Sequence, residues 1–504
     1  MTLLAKTGSF LTPTSTGDQS YTGVGFTPRV IIYFTNRQED NNTGSDAFQM
    51  IGWDTYNNVG TNGHSRATFA NDAAATTSTV NGWAPGSVGL MVDNTASTAL
   101  NNSLVSMDLD GFTLNWATVE ATRRPIHYLA LGGSSVLAFA GDFDTGLGAA
   151  NVSVTGVGFQ PKITLFVTSR ATTASGWSGS TSSHIVFGAA VSSSSRWSAG
   201  NLSRDGFAAA DNDQRIETDF VQFIMGVGGV LQNTLDFVSH DADGFTIDPV
   251  TAYTADTNIA FLCLGGDGLL AAVGTETQKT STGTKATTGV GFAPHALIFA
   301  GNAATSVGAT PGGVSAFFGV AASTSDQRAC AVSDTDTADP TEVKASTAGS
   351  KCLHYISGPT PTTDAEASLS SIESDGYTLN WTTADATGRT FGWIALANFD
   401  SATVSATTTY SFSATASAAA IRDVTVAAIV RFAGAFAVGS VWALNLTCAW
   451  ILSLVFSQTT TEVPPESTTP VSGGGGSMGG GAALGSNMRR RIGWFRRRSE
   501  WTKR

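Results

Sequence analysis

The word Thr-Gly-Val-Gly-Phe occurs three times, starting at Thr22, Thr155 and Thr288, each start 133 residues after the last. Two further words keep this register. Asp-Gly-Phe-Thr-Leu begins at Asp110, with variants at Asp243 and Asp375, and an apolar closing run occupies 128–133, 261–266 and 393–398. The chain is a triplication. Its period is far above the roughly 20–50 residues of solenoid and propeller repeats and falls where one unit buries its own core. We therefore assign one domain to each of residues 1–133, 134–266 and 267–398, followed by two unrelated segments, 399–456 and 457–504.

Charged residues are 13% of the chain, against about 25% in ordinary domains, while Gly, Ser and Thr are abundant. Such a composition favours strands and turns. Net charge is −12, but residues 488–504 carry seven Arg and one Lys against one Glu, so the rest stands at −12 − 7 = −19. That balance opposes a general affinity of the main body for nucleic acid. Cys263, Cys330, Cys352 and Cys448 form no CxxC pair and no zinc spacing. Cys263 corresponds to Ala130 and Ala395 and reads as a small core residue; a Cys330–Cys352 bridge is open to copy three but absent from the other copies. No basic region followed by a sustained apolar stretch opens the chain, so general secretion is not indicated.

Within copy one, the Gly-Val-Gly-Phe turn leads through Pro28 into Val30-Ile31-Ile32-Tyr33-Phe34, apolar on both faces as suits an inner strand. The Asp-Gly turn then precedes a strand in which Phe112, Leu114 and Trp116 share one face. That alternation assigns Trp116, and Trp381 in copy three, to the core. Between these anchors run polar stretches of variable length, expected to be surface loops. The expected fold class is all-β: three tandem β-sandwich domains of jelly-roll or lectin-like type, then a hydrophobic segment and a flexible basic C-terminal tail.

Chemistry is sparse. Pro28, Pro161 and Pro294 replace the last glycine of a dinucleotide fingerprint, and the run Gly176-Trp177-Ser178-Gly179-Ser180 lacks the final glycine of a nucleophile elbow. The six histidines occupy unrelated positions in the repeat. Acidic pairs do recur: Asp108 with Asp110, Asp241 with Asp243, Glu373 with Asp375. They admit a structural calcium ion, or a hairpin turn whose carboxylates accept local hydrogen bonds. Trp53, Tyr56, Trp83, Trp177 and Trp197, read as loop aromatics, are the candidates for ligand contact.

Residues 433–456 carry no charge in twenty-four positions, long enough to span a bilayer, yet are interrupted by Gly, Ser, Asn and Thr and flanked by Arg431. A membrane span and buried assembly strands both remain open. A polar linker and glycine tract follow. The tail then sets Arg489, Arg490, Arg491 and Arg496, Arg497, Arg498 around Trp494, a pattern suited to an anionic partner or to a mobile solubilising end.

The word set TGVGFxP, DGFTL and aromatic-x-Ala-Leu-Gly-Gly resembles repeat domains of bacteriophage virion and tail-associated proteins. The resemblance covers about 390 residues, from Gly8 to Ala397. It implies concanavalin-like or jelly-roll sandwiches and carries over no catalytic residue. The expectation is a non-enzymatic virion structural protein, tail-associated or surface-exposed, that contacts other virion proteins, forms homo-oligomers and meets host surface glycans through its loops. A tail-borne polysaccharide depolymerase and a membrane-anchored adhesin are the alternatives.

Overall fold

A computed structural model describes residues 3–398, except 39–41, 58–59, 86–88, 93–97, 135, 147, 149, 171–175, 180–181, 252–256, 359 and 361. The uncharged run 433–456, the linker and the arginine tail lie outside the described residues. The described residues are all-β, 66% strand and 1% helix.

Copy one contains β1 (Leu4–Leu11), β2 (Gly17–Thr22), β3 (Pro28–Thr35), β4 (Thr43–Ser45), β5 (Ala47–Asn57) and β6 (Gly60–Ala70). It continues with β7 (Thr79–Pro85), β8 (Gly89–Val92), β9 (Thr98–Asp108), β10 (Gly111–Thr118) and β11 (Pro125–Gly132). Its large sheet runs β1-β11-β3-β5-β6-β7 and its small sheet β2-β10-β9-β8, with antiparallel neighbours throughout. The other copies repeat both orders strand for strand, from Leu137–Asp144 to Asn258–Gly265 and from Leu269–Thr277 to Thr390–Asn398.

Strand β3 explains the apolar run with two apolar faces. Ile31 and Tyr33 join Phe112, Leu114 and Trp116 of β10 in a core between the two sheets of copy one. Val30, Ile32 and Phe34 point the other way, into a second core shared with Ile163, Leu165 and Val167 of copy two and Ile298 and Ala300 of copy three. Burying one such side chain contributes about 1.5–3 kcal/mol, so the shared core is a major part of what holds the copies together. The strand is therefore inner in two senses, within its copy and between copies.

The copies close into a ring. Strands β5 and β6 lie against Leu137–Asp144 of copy two, Ser195–Ser203 of copy two lies against Leu269–Thr277 of copy three, and Val314–Ser323 and Asp326–Asp334 of copy three lie against β1. Each interface is head-to-tail, and three of them return to the start. Each copy also extends a neighbour's sheet. Strand β4 pairs with Val343–Ala348 of copy three, and Gly176–Gly179 of copy two pairs with β7. Copy three reaches Asn212–Glu217 of copy two through a bridge between Asp213 and Gly312. Covering edges in this way occupies backbone groups that would otherwise recruit foreign strands.

Candidate functional site

The repeated words bind one another. In copy one the Asp110 carboxylate accepts the N–H groups of Gly23 and Gly25 at 3.1 and 2.5 Å; Asp243 holds Gly156 and Gly158, and Asp375 holds Gly289 and Gly291, in the same way. The glycine after each aspartate is obligatory. At φ +151°, a Cβ on Gly111 would overlap the Tyr21 carbonyl of β2, and Gly244 and Gly376 meet the same obstacle. The first acid of each pair accepts two hydroxyls: Ser106 and Thr113 on Asp108, Ser239 and Thr246 on Asp241, Ser371 and Thr378 on Glu373. All six carboxylates are thus engaged within the protein. Among the described residues no group of three or more His, Cys, Asp or Glu is placed to hold a metal ion.

Two of the five aromatic candidates need correction. Trp53 and Trp197 are strand residues with 0% exposure, so their rings are not offered to any ligand outside. Each donates its indole N–H across a copy boundary, Trp53 to the Phe261 carbonyl at 3.0 Å and Trp197 to the Trp393 carbonyl at 3.1 Å. Tyr56 is exposed at the end of β5. Trp83 and Trp177 have backbones in the pairing of β7 with Gly176–Gly179, and their side chains lie outside the described residues. That pairing also makes the elbow-like Gly176 segment a strand. Trp116 and Trp381 pack in the cores of copies one and three, as the alternation predicts. Cys263, Cys330 and Cys352 are buried free thiols, so no Cys330–Cys352 bridge is formed.

Sequence reasoning missed the residues that lock the ring. Asn36, Ser169 and Asn302 occupy one position, the residue immediately after the end of the same register in each copy. Asn36 donates to the Ala331 and Ser346 carbonyls of copy three at 3.0 and 2.6 Å, Asn302 to the Gly200 and Arg215 carbonyls of copy two at 3.1 and 2.7 Å, and Ser169 to the Gly82 carbonyl of copy one at 3.0 Å. At one end of the ring, three equivalent loops join by backbone hydrogen bonds. Ala73 pairs with Thr341, Gly206 with Thr77, and Thr337 with Ala210, each N–H bond 2.7–2.9 Å long. All three donors in this set, Ala73, Gly206 and Thr337, have positive φ. Asp72, Asp205 and Asp336 in these loops accept the N–H of Val343, Thr79 and Asn212, the first residues of the neighbouring edge strands.

Side chains distinguish the three junctions. Between copies one and two, fully buried Arg66 donates to Asn258, whose amide bridges Asp142 and Asp144 at 2.7 and 2.9 Å. Burial pushes the Arg66 guanidinium down to about 9 against the pull of those aspartates. Between copies three and one, Asp326 accepts the N–H and hydroxyl of Thr7 at 3.0 and 2.6 Å and pairs with Lys6. The junction of copies two and three is centred on Trp197. Where the three large sheets meet, Ile51, Phe187 and Phe318, equivalent residues of the three copies, line a cavity of about 30 Å³, room for water but not for a sugar. No family model, curated protein or solved structure matches this chain.

Proposed function

We propose that the chain is a non-enzymatic virion structural protein, tail-associated or exposed on the particle, whose three tandem lectin-like units display variable loops toward host glycans. The observation that carries this reading is the closed ring. Three copies are locked by exchanged edges and a filled shared core, and the cavities between them, about 30 and 10 Å³, are far below the size of a ligand pocket. A scaffold of this kind supports presentation rather than turnover. Repetition also favours a weak-binding surface, since linked sites gain by avidity without new contacts. In this reading the segment after residue 398 joins the ring to other virion proteins, and the arginine tail meets an acidic partner.

The test is a glycan array and a whole-cell binding assay on the purified full chain, with and without calcium. Specific binding supports the display role and makes Tyr56 the first residue to replace. Release of oligosaccharide from a capsular polysaccharide would overturn the reading in favour of a depolymerase.

A further inference from the structure

Beneath the ring of loops, copies two and three meet at a buried acid. Asp334, at the end of the strand Asp326–Asp334, is 4% exposed, and its Oδ2 accepts the Ser203 hydroxyl of copy two at 2.7 Å. Ser203, Asp334 and Ala70 are equivalent residues, so the contact lies where the three copies converge. The other oxygen, Oδ1, is buried with no hydrogen bond of normal geometry, and the adjacent Asn212 amide stands close enough to favour the carboxylate only weakly. The surrounding charges are mainly acidic. Asp336 and Asp72 both act on the carboxyl, while Lys344 is engaged by Asp72 and Arg204 by Asp211 and Asp213.

We propose that Asp334 is a proton-dependent junction between copies two and three, tight while its carboxyl is neutral and loosened when it ionises, because the cost of a buried charge beside Asp336 and Asp72 outweighs the strengthened Ser203 bond, so that the loop ring yields there as pH rises. A neutral carboxyl needs no counter-charge in this site; a carboxylate here has one hydroxyl donor and acidic neighbours. Burial, reinforced by Asp336 and Asp72 and opposed by Ser203 and Asn212, pushes the carboxyl up to about 7 from its ordinary 3.8. The native chain therefore keeps a proton that the unfolded chain releases earlier. The junction's contribution is complete below the ordinary carboxylate value and is lost as pH rises toward 7. Above that range nothing further is lost.

The experiment compares the full chain with Asp334→Asn at pH values from acid to mildly alkaline, reading the melting midpoint and the hydrogen exchange of the Ala210 and Thr337 amides corrected for intrinsic rate. A difference between the two proteins is needed because the buried histidines shift stability in the opposite direction. The wild-type midpoint should fall relative to the variant between acid and neutral pH, with wild-type loop exchange rising roughly tenfold for each pH unit over which the proton is lost. Parallel profiles would overturn the proposal. Should Asp334→Asn not fold, Ser203→Ala removes the hydroxyl that favours the carboxylate and must move the wild-type exchange midpoint to higher pH. An unmoved midpoint also overturns it.

Discussion

The side-chain amide of Asn36 donates to the carbonyl oxygen of Ser346, 310 residues further along the chain, at 2.6 Å. A second bond from the same nitrogen reaches Ala331 on the adjacent strand, so one amide joins two strands of another copy. Replacing Asn36 with Ala leaves both buried carbonyls and the Thr347 hydroxyl short of a partner. Each such loss costs about 1–3 kcal/mol, so Asn36→Ala and Asn302→Ala should each destabilise the chain by about 2–4 kcal/mol. Ser169→Ala, which gives up one bond, should cost about 1 kcal/mol. Denaturant midpoints of the full chain rank the three; equal values would mean that the second amide bond adds nothing to a latch.

The aspartate clamps make a contrasting prediction. Asp110→Ala removes two charge-assisted bonds from the turn at Gly23 and Gly25, at a cost of about 2–3 kcal/mol. Gly25→Ala forces a side chain into φ +87° and should cost about 1–2 kcal/mol with the aspartate intact. Because these carboxylates already hold backbone donors, EDTA should leave the melting midpoint unchanged. A chelator-induced drop would show that an ion shares them.

Trp197 separates packing from bonding. Trp197→Phe keeps a ring against Phe187 and loses the N–H bond to Trp393, which should cost about 1 kcal/mol for the bond alone. Trp197→Ala opens a cavity in the shared core and should cost about 3–5 kcal/mol. Differential scanning calorimetry measures both, and a cell-binding assay on Trp197→Phe should show no change.

Acid should weaken the fold through its histidines. His184 accepts the Met225 N–H on Nε2 at 3.2 Å, a bond available only to the neutral ring, and burial pushes the imidazole down to about 3. Burial likewise holds His64, His240 and His354 at about 4. Native values below the ordinary 6.5 mean that this stability is full above 6.5 and is lost as pH falls toward 4. His184→Gln, which retains an acceptor, should flatten the acid limb of a stability profile by one proton's share. An unchanged limb would place the acid sensitivity elsewhere.

Some of this was legible in the sequence. The Asp110 and Gly25 words stand out because a tight turn admits few residues and the same turn is made three times. The ring was not legible. Asn36, Ser169 and Asn302 share a position without sharing a side chain in all copies, and their partners are 87 or more residues distant. The loop ring uses backbone groups, so Ala73, Gly206 and Thr337 have in common a left-handed backbone rather than a chemical type. Trp53 and Trp197 look like loop residues in sequence because a strand buried on both faces loses the alternation by which strands are recognised. Their polar neighbours, among them Asp54, Ser65, Ser198 and Asn201, are buried too.

Ring closure also sets a schedule for synthesis. At about 5–20 residues per second, the closing strand of copy three, Thr390–Asn398, is translated on the order of 10–50 s after copy one is complete. Throughout that interval Val30, Ile32 and Phe34 lack the third copy that covers them. Neighbouring ribosomes on one message hold identical half-built rings at the same moment, each with a face able to accept the other's next copy. The sorting of self from neighbour then falls to the short connections between copies and to the unlike side chains at the three junctions.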